Sequence, residues 1–331
     1  MKSTVEIFSE LGRRLISFGE DDASRTVLMR ALVANEWFMV RDIHYAVDAV
    51  CSEMLNAEKV KNWLSHYPSA GKHEPKRVAI IMAGNIPLVG FFDLMCVIAN
   101  GDIPCIKPSS KDRVLMEYVV ELLREIEPLL RIEQYKEDAE YDAVIATGGD
   151  SANLYFRTAF AGVPTLLRGS RHSVAVLSGK ESAYSLEELK NDIFIHSGLG
   201  CRNVSLIFAP KGFKLDFSVP QISQAYRNNY LQCRALLTMH KAKFEDLDGA
   251  VLAYPKEVEF PRFLSQINVV EYSSLEKVQQ WLDLHDDELQ CVVSNIEGVH
   301  SRQVSYGKAQ CPTLFDYADG QDTMQFLASI S

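Results

Sequence analysis

The chain has 331 residues, of which 47% are hydrophobic and 24% charged, as in a globular protein long enough for two domains. Its formal net charge of -10 argues against a nucleic-acid or anionic-membrane surface, because both partners require a basic face. The seven cysteines contain no CxxC pair, and neither they nor the eight histidines show zinc spacing. We therefore expect no metal site and a reducing, cytoplasmic location.

Residues 1–70 are predicted to form a helical N-terminal segment. Val5, Phe8, Leu11 and Leu15 recur at helical spacing, with charged residues between them. The sequence has no apolar stretch of about 18 residues, so no transmembrane segment is expected. A turn-rich connector then leads into regular alternation of strands and helices.

Residues 71–197 are predicted to form a cofactor-binding α/β domain. Continuous apolar runs such as Val78–Met82 are typical of strands buried on both faces of a parallel sheet. Alternation of strand and helix predicts a doubly wound parallel sheet. The predicted strands are 78–82, 103–107, 131–134, 141–146, 165–168 and 173–177, and the predicted helices are 88–99, a helix ending near 126, one starting at 151, and 185–196.

Residues 198–305 are predicted to form a second, catalytic α/β domain. Its expected strands are 204–209, 250–253, 268–272 and 289–294, and its helices 219–239 and 275–284. The tail, residues 306–331, is too short to fold alone, so we expect it to pack back on the cofactor domain.

Three polar segments follow predicted strands of the first domain. They are Gly84–Pro87, Lys107–Lys111 and Thr147–Asp150. Ligands bind at the carboxyl ends of strands in open α/β sheets, although each segment could also be an ordinary turn. The usual dinucleotide fingerprint GxGxxG is absent.

The second of these segments has the composition of a phosphate or ribose site. Lys107 and Lys111 supply positive charge, and Ser109 supplies a hydroxyl beside the start of a predicted helix. A solvated pair of surface lysines is the alternative.

Cys201 is the candidate nucleophile. It follows Gly198 and Gly200 and precedes Arg202, and nearby positive charge favours the reactive thiolate. Asn85 offers an uncharged donor for the oxyanion that attack on a thioester or aldehyde would generate. A small buried cysteine and a turn-forming asparagine are the alternatives. His172 and His196 are candidate proton carriers, with structural roles the more expected.

Several motifs together resemble the LuxC-like acyl-CoA reductases, a divergent branch of the aldehyde dehydrogenase superfamily, over about residues 75 to 320. They are Gly-Asn-Ile-Pro-Leu-Val-Gly-Phe at 84–91, Lys-Pro-Ser-Ser-Lys-Asp at 107–112, Ala-Thr-Gly-Gly at 146–149, Arg-Gly-Ser-Arg-His at 168–172 and Gly-Leu-Gly-Cys-Arg-Asn at 198–203. The resemblance implies an aldehyde dehydrogenase-like fold.

The resemblance also implies roles for individual residues. Cys201 would accept the acyl group, and Asn85 with the Cys201 backbone N–H would form the oxyanion hole. Lys107 would hold the adenosine ribose, and Thr147-Gly148-Gly149 would lie near the pyrophosphate and nicotinamide. The second glycine usual in aldehyde dehydrogenases is not evident here.

The implied reaction is reduction of a long-chain fatty acyl-CoA to the aldehyde by NADPH, with NADH left open. Lys107, Lys111 and Arg171 are candidates for the 2′-phosphate, and Arg168 and Arg171 for phosphates of coenzyme A. Aldehyde-oxidising relatives carry a glutamate where this chain reads Leu167–His172 without a carboxylate. Its loss suits an acyl-thioester that must survive until it is reduced.

Two other functions stay open at this point. One is a short-chain, coenzyme A-acylating aldehyde dehydrogenase, and the other is a non-catalytic protein that binds a nucleotide or acyl-CoA. The N-terminal helices could dock an acyl-transfer or synthetase partner. The resemblance also allows an oligomer, and the sequence does not decide the oligomeric state.

Overall fold

A computed structural model describes residues 2–68, 70–215 and 218–330, and the chain divides into two compact units. The first unit comprises Met1–Asn35, Val40–Ser170 and Pro312–Ser331, and the second comprises Glu36–Met39 and Arg171–Cys311. Each unit contains one sheet of mainly parallel strands together with helices. The predicted α/β fold class is confirmed.

From residue 77 onward, the described residues form strands interspersed with helices. The strands are β1 (Arg77–Ile81), β2 (Ile103–Lys107), β3 (Glu133–Gln134), β4 (Ala143–Thr147), β5 (Thr165–Arg168), β6 (His172–Val176), β7 (Val204–Pro210), β8 (Phe244–Asp246), β9 (Val251–Ala253), β10 (Gln266–Tyr272), β11 (Leu289–Val293) and β12 (Gln303–Val304). The helices are α1 (Thr4–Leu15), α2 (Asp22–Ala34), α3 (Val40–Ala49), α4 (Ala57–Ser65), α5 (Phe91–Asn100), α6 (Arg113–Ile126), α7 (Asp150–Ala159), α8 (Ala183–Phe194), α9 (Gln224–Met239), α10 (Leu275–Leu284) and α11 (Thr323–Ile330). None of the helices in the described residues is long and apolar enough to span a membrane.

The sheet of the first unit is fully parallel, with the order β3-β2-β1-β4-β5. Strand β1 lies in the centre because Val78, Ala79 and Ile80 are buried on both faces. Helix α5 is apolar on nearly all sides and buried, and it ends at Gly101, whose φ of 86° is the left-handed conformation that glycine adopts at helix ends.

The N-terminal helices belong to the first unit and are not a separate domain. Helix α1 starts at a capping box in which Ser3 and Glu6 satisfy each other's backbone N–H groups. Both α1 and α2 pack against α6. The short segment Glu36–Met39 belongs instead to the second unit, where Trp37 packs against the core.

The border between the units lies between Ser170 and Arg171, not at the predicted position between residues 197 and 198. Strand β6 pairs with β7 and β11 of the second sheet, so it cannot belong to the first. The end of the chain returns to the first unit, where Trp63 Nε1 donates to the Tyr317 hydroxyl at 2.8 Å.

The second sheet has the order β12-β11-β6-β7-β10-β9-β8, and its strands are parallel except for the β8–β9 pair. The sequence did not predict β8 or β12, because strands of three and two residues are too short to show a periodic pattern. Helix α9 begins at Gln224 rather than 219, since the Ser223 side chain caps its first turn.

Asp192, near the end of α8, fastens a distant loop of the second unit. Its buried carboxylate accepts hydrogen bonds from the backbone N–H groups of Gly307 at 2.7 Å and Ala309 at 3.0 Å. The pKa of Asp192 is raised to about 7, mainly by burial and to a smaller extent by Glu188, while the two N–H groups lower it. The carboxyl therefore titrates near neutral pH in the folded protein.

This pKa predicts how Asp192→Asn changes the dependence of stability on pH. Between about pH 4 and 7 the folded protein keeps a proton that the unfolded chain releases, so the stabilisation present at low pH is lost as the pH rises through this range. We expect the free energy of unfolding of the variant, relative to that of the wild type, to be about 2–3 kcal/mol higher at about pH 8 than at about pH 5. Denaturant unfolding of both proteins at the two pH values measures it.

The matched control is Glu187→Gln, on the exposed side of the same helix. It should leave the dependence of stability on pH close to that of the wild type. If Asp192→Asn has the wild-type dependence as well, the carboxyl does not titrate as described.

Candidate active site

The order of the first sheet reverses between its neighbouring strands β1 and β4. In doubly wound sheets, a crevice for ligands opens at the carboxyl ends of the strands at such a point. The segment Met82–Gly90 follows β1, and Gly148 and Gly149 follow β4. All three predicted ligand segments follow parallel strands and so lie at the same edge, and these two flank the crevice between β1 and β4.

The segment of residues 107–111, which follows β2, contacts the loop after β1 at Gly84. A Cβ atom on Gly84 would lie 2.5 Å from the Cβ of Ser109, so the loops after β1 and β2 touch where glycine has no side chain. The buried Asn35 side chain donates to the carbonyl of Gly84 at 3.5 Å and to that of Lys111 at 3.4 Å. Glycine is required here for close packing rather than for an unusual φ.

Lys107 ends β2 with its side chain exposed above an aromatic pair. Its Nζ lies 5.1 Å from the ring centroid of Tyr135, and that ring stacks on Tyr141 at 5.3 Å. Lys111, four residues further on, is also exposed. This corner of the first unit offers positive charge and a flat aromatic surface.

The glycine turn after β4 leads into the N-terminus of α7. A Cβ on Gly148 would lie 2.8 Å from the Cβ of Ala152, so this glycine allows the turn to pack on the helix. A Cβ on Gly149 would meet its nearest neighbour, Ser170 Oγ, only at 3.8 Å. Gly149 is the N-cap residue and has no side chain to cap the first N–H groups. Such a helix start suits a phosphate.

Arg168, predicted as a contact for coenzyme A phosphates, is buried inside the first unit instead. Its Nη1 donates to both carboxylate oxygens of Asp93 at 2.6 Å, and its Nη2 donates to Thr323 Oγ1 at 2.6 Å. Its carbonyl accepts the Gly148 N–H and the Asn153 side chain, both at 3.1 Å. Arg168 therefore holds the glycine turn in place and has no exposed edge for a ligand.

A carboxylate does lie against the turn after β5, although it comes from the C-terminal tail. Asp319 Oδ2 accepts the backbone N–H of Gly169 at 3.2 Å. The stretch of residues 167–172 has no acidic residue of its own, but the Asp319 carboxylate lies beside it.

Asn85, the predicted oxyanion donor, lies half-buried in the loop after β1. Leu88 in the same loop has a φ of 57°, which is uncommon for a residue with a side chain. Beside this loop, Asp112 is buried, and burial raises its pKa well above the usual value while the Leu88 backbone N–H lowers it.

Cys201 lies in the second unit, and it is exposed. It precedes β7 by three residues, at the amino edge of the second sheet, where β6 also begins. The carbonyl of Cys201 accepts a hydrogen bond from the buried Ser173 hydroxyl at 2.9 Å. The backbone is thus held from inside the unit while the side chain faces outward.

Asn203, two residues after the cysteine, is buried and fixes the other side of this loop. Its Oδ1 accepts the Gly200 N–H at 2.8 Å. Its Nδ2 lies within hydrogen-bond distance of three carbonyl groups at the end of α8, namely those of Asp192, Ile193 and Ile195. The thiol is therefore displayed on a fixed backbone.

Arg171 and the two histidines lie in the second unit. Arg171 is partly exposed and directly precedes β6, on the same sheet edge as Cys201, with Nη1 3.4 Å from the carbonyls of Asp286 and Leu289. His172 stacks on Phe260 with centroids 4.0 Å apart, and burial lowers its pKa. His196 is buried. These contacts indicate structural roles for both histidines.

Sequence reasoning missed two residues that hold the candidate site, Asp93 and Asn203, and a third, Asp192, that fastens a loop elsewhere in the second unit. Asp93 carried a readable signal, because a lone acid inside the apolar run Phe91–Ile98 requires a buried partner. Asn203 ends the motif at residues 198–203, but the motif alone does not indicate that its side chain is buried. Asp192 had no signal, since acids are common on helices.

Comparison with known proteins places the chain by its fold alone. No protein-family model matches the sequence, and no curated protein matches it. In the described residues, no group of three or more His, Cys, Asp or Glu side chains is placed to hold a metal ion.

Solved aldehyde dehydrogenases have a similar structure along most of the chain. Aldehyde dehydrogenase 21 from Physcomitrella patens, in complex with the reaction product succinate, has a TM-score of 0.70 over 99% of this chain and 83% of its own, at 10% identity. An NAD+ complex of an aldehyde dehydrogenase from Bacillus cereus has a TM-score of 0.61 over 89% of this chain and 72% of its own, at 13% identity. A mutant of the propionaldehyde dehydrogenase from a Clostridium phytofermentans microcompartment has a TM-score of 0.59 over 93% of this chain and 81% of its own, at 11% identity. The chain thus has the aldehyde dehydrogenase fold that the sequence predicted.

Proposed function

We propose that this protein is an acyl-CoA reductase, which converts a fatty acyl-CoA to the aldehyde with NADPH through an acyl-thioester on Cys201. The observation that supports it best is the exposed thiol on a loop fixed by Asn203 and Ser173. It occurs in a fold that solved aldehyde dehydrogenases share.

The residues of the first unit fit a nicotinamide dinucleotide. The start of α7 at Gly149 is exposed and has no capping side chain, so its first N–H groups are the proposed phosphate site. Thr147 and Gly148 complete the same turn, and Lys107 and Ser109 would hold the adenosine ribose.

NADPH is the preferred form in this proposal. A carboxylate usually binds the ribose 2′-hydroxyl of NADH, whereas positive charge accommodates the 2′-phosphate. The segment Lys107–Arg113 has exposed Lys107, Lys111 and Arg113, and its one acid, Asp112, is buried with a raised pKa. Burial thus separates the Asp112 carboxyl from the exposed positive charges of this segment.

In the mechanism, the Cys201 thiolate attacks the carbonyl carbon of the acyl-CoA thioester. The new bond joins Sγ to that carbon, the bond to the coenzyme A sulfur breaks, and coenzyme A leaves. We propose Asn85 as a donor to the oxyanion, on the resemblance alone. The turn of residues 147–149, Lys107 and Ser109 would hold the nicotinamide cofactor, which would supply a hydride for the acyl carbon. Collapse of the resulting thiohemiacetal anion breaks the Cys201–carbon bond and restores the thiolate. The departing coenzyme A thiolate takes up the one proton, so that acyl-CoA, NADPH and one proton give aldehyde, NADP+ and coenzyme A.

The long acyl chain also rests on the resemblance, and the proposed cytoplasmic location rests on the scattered cysteines. Arg171, partly exposed on the sheet edge that carries Cys201, is the candidate contact for coenzyme A phosphates. A docking partner for the N-terminal helices and an oligomeric state stay proposals of the same kind. We no longer propose a ligand role for Arg168, because it is buried.

A short-chain aldehyde dehydrogenase that acylates coenzyme A is the second candidate. The fold similarity to a propionaldehyde dehydrogenase favours it. Rates of NADPH oxidation with acyl-CoA esters from three to sixteen carbons distinguish the two candidates, because only the first predicts preference for long chains.

The first prediction from this proposal concerns covalent acylation of Cys201. Intact-protein mass after mixing with a long-chain acyl-CoA, without NADPH, should rise by one acyl group in the wild type and stay unchanged in Cys201→Ala. NADPH should discharge the adduct as aldehyde. Cys311→Ala is the matched control, a partly exposed cysteine of the same unit, and should acylate normally.

An equal adduct on Cys201→Ala would remove this residue as the nucleophile. If the wild type binds NADPH but no acyl-CoA of any length forms an adduct, a non-catalytic binding protein becomes the better account.

The second prediction concerns Gly149→Ala. A methyl group fits the folded protein here, so unfolding should change by about 1 kcal/mol or less, the usual effect at a helix N-cap. The same methyl group would occupy the approach to the first N–H groups of α7, and the Kd for NADPH, measured by fluorescence, should rise at least about tenfold. An unchanged Kd in the folded variant would place the cofactor elsewhere.

A further inference from the structure

The segment between α8 and Cys201 has an unusual backbone. His196, Ser197 and Gly198 have φ values of 57°, 54° and 68°, so three successive residues are left-handed. For residues with a side chain this conformation is unfavourable, and it persists only where the surroundings fix it. Something in the second unit must therefore hold this turn, and with it the path of the chain to Cys201.

Asn203 provides that constraint with a single side chain. Its Nδ2 is 3.1 Å from the Ile193 carbonyl and 2.8 Å from the Ile195 carbonyl, which flank the end of α8. The last carbonyls of a helix lack partners within the helix, so these bonds also satisfy buried acceptors. Its Oδ1 meanwhile accepts the N–H of Gly200, next to Cys201.

We propose that Asn203 is the positioning residue for Cys201, and the inference rests on the proposed role of Cys201 as nucleophile. The amide ties the residue before the thiol to the end of α8, across the left-handed turn. Ser173 holds the Cys201 carbonyl at 2.9 Å from the other direction. The thiol thus meets a thioester in one orientation rather than many.

Asparagine is the residue that this position requires. It must accept from one N–H and donate to carbonyls at the same time, which a carboxylate cannot do. It also brings no negative charge, and a negative charge near Cys201 would disfavour the thiolate. Asp is therefore the informative substitution, since it keeps the size and the acceptor but loses the donors.

The test compares Asn203→Ala and Asn203→Asp with Asn268→Ala. Asn268 is the matched control because it is a buried amide of the same unit, on β10, whose hydrogen bonds go to Glu259 and Gln266 rather than to the turn before Cys201. The readouts are the single-turnover rate of Cys201 acylation by a long-chain acyl-CoA, its dependence on acyl-CoA concentration, and thermal unfolding.

The expected result is a loss of at least about 30-fold in the maximal acylation rate for both Asn203 variants, with half-saturation within about threefold of wild type. Asn268→Ala should acylate within about threefold of wild type even where it melts earlier. If Asn203→Ala does not fold, the pH dependence of acylation in Asn203→Asp decides the question, because an effect of charge on the thiolate disappears at high pH and a loss of positioning does not.

If the wild type is acylated and the Asn203 variants are acylated at the same rate, the positioning role is overturned and the proposed function stays intact. An equal loss in Asn268→Ala would overturn it as well, since the effect would then follow stability alone. Absence of acylation in the wild type would refute the proposed function itself, and with it the role of Asn203.

Discussion

A buried ion pair between Arg168 and Asp93 organises the first unit. It joins the end of β5 to the first turn of α5, and Arg168 also binds Thr323 of α11, so three separate parts of the chain meet at one guanidinium. Removing one partner of such a pair leaves a buried charge, at a cost of about 3–5 kcal/mol. The Arg168 carbonyl in turn holds Gly148, and so the position of the candidate phosphate site depends on this pair.

In the second unit, buried polar side chains also hold the backbone of the candidate site, but they are uncharged. A reactive thiol must be exposed, but an exposed loop is ordinarily mobile. The buried side chains of Asn203 and Ser173 hold the backbone on both sides of Cys201, and they leave its side chain toward solvent. In both units, the residues that would meet a ligand are small or exposed, and buried polar groups beneath them fix their positions.

Much of the fold could be predicted because short apolar runs bounded by turn residues, such as residues 78–82, are typical of buried strands. The border at Ser170 could not, because β5 and β6 are similar short runs and local pattern does not say which sheet a strand joins. The candidate site was located by its glycines and by Cys201. The role of Arg168 was hidden, since an arginine at a strand end reads as a ligand contact until its burial is known.

The most direct test of the account is the fate of the acyl group on an isolated acyl-enzyme. The acylated protein, freed of excess acyl-CoA, is mixed with NADPH that carries deuterium on the transferring carbon, and the products of one turnover are identified by mass. The account predicts aldehyde that contains one deuterium. Release of the free fatty acid with the deuterium still in the cofactor would contradict it, because water rather than hydride would then accept the acyl group.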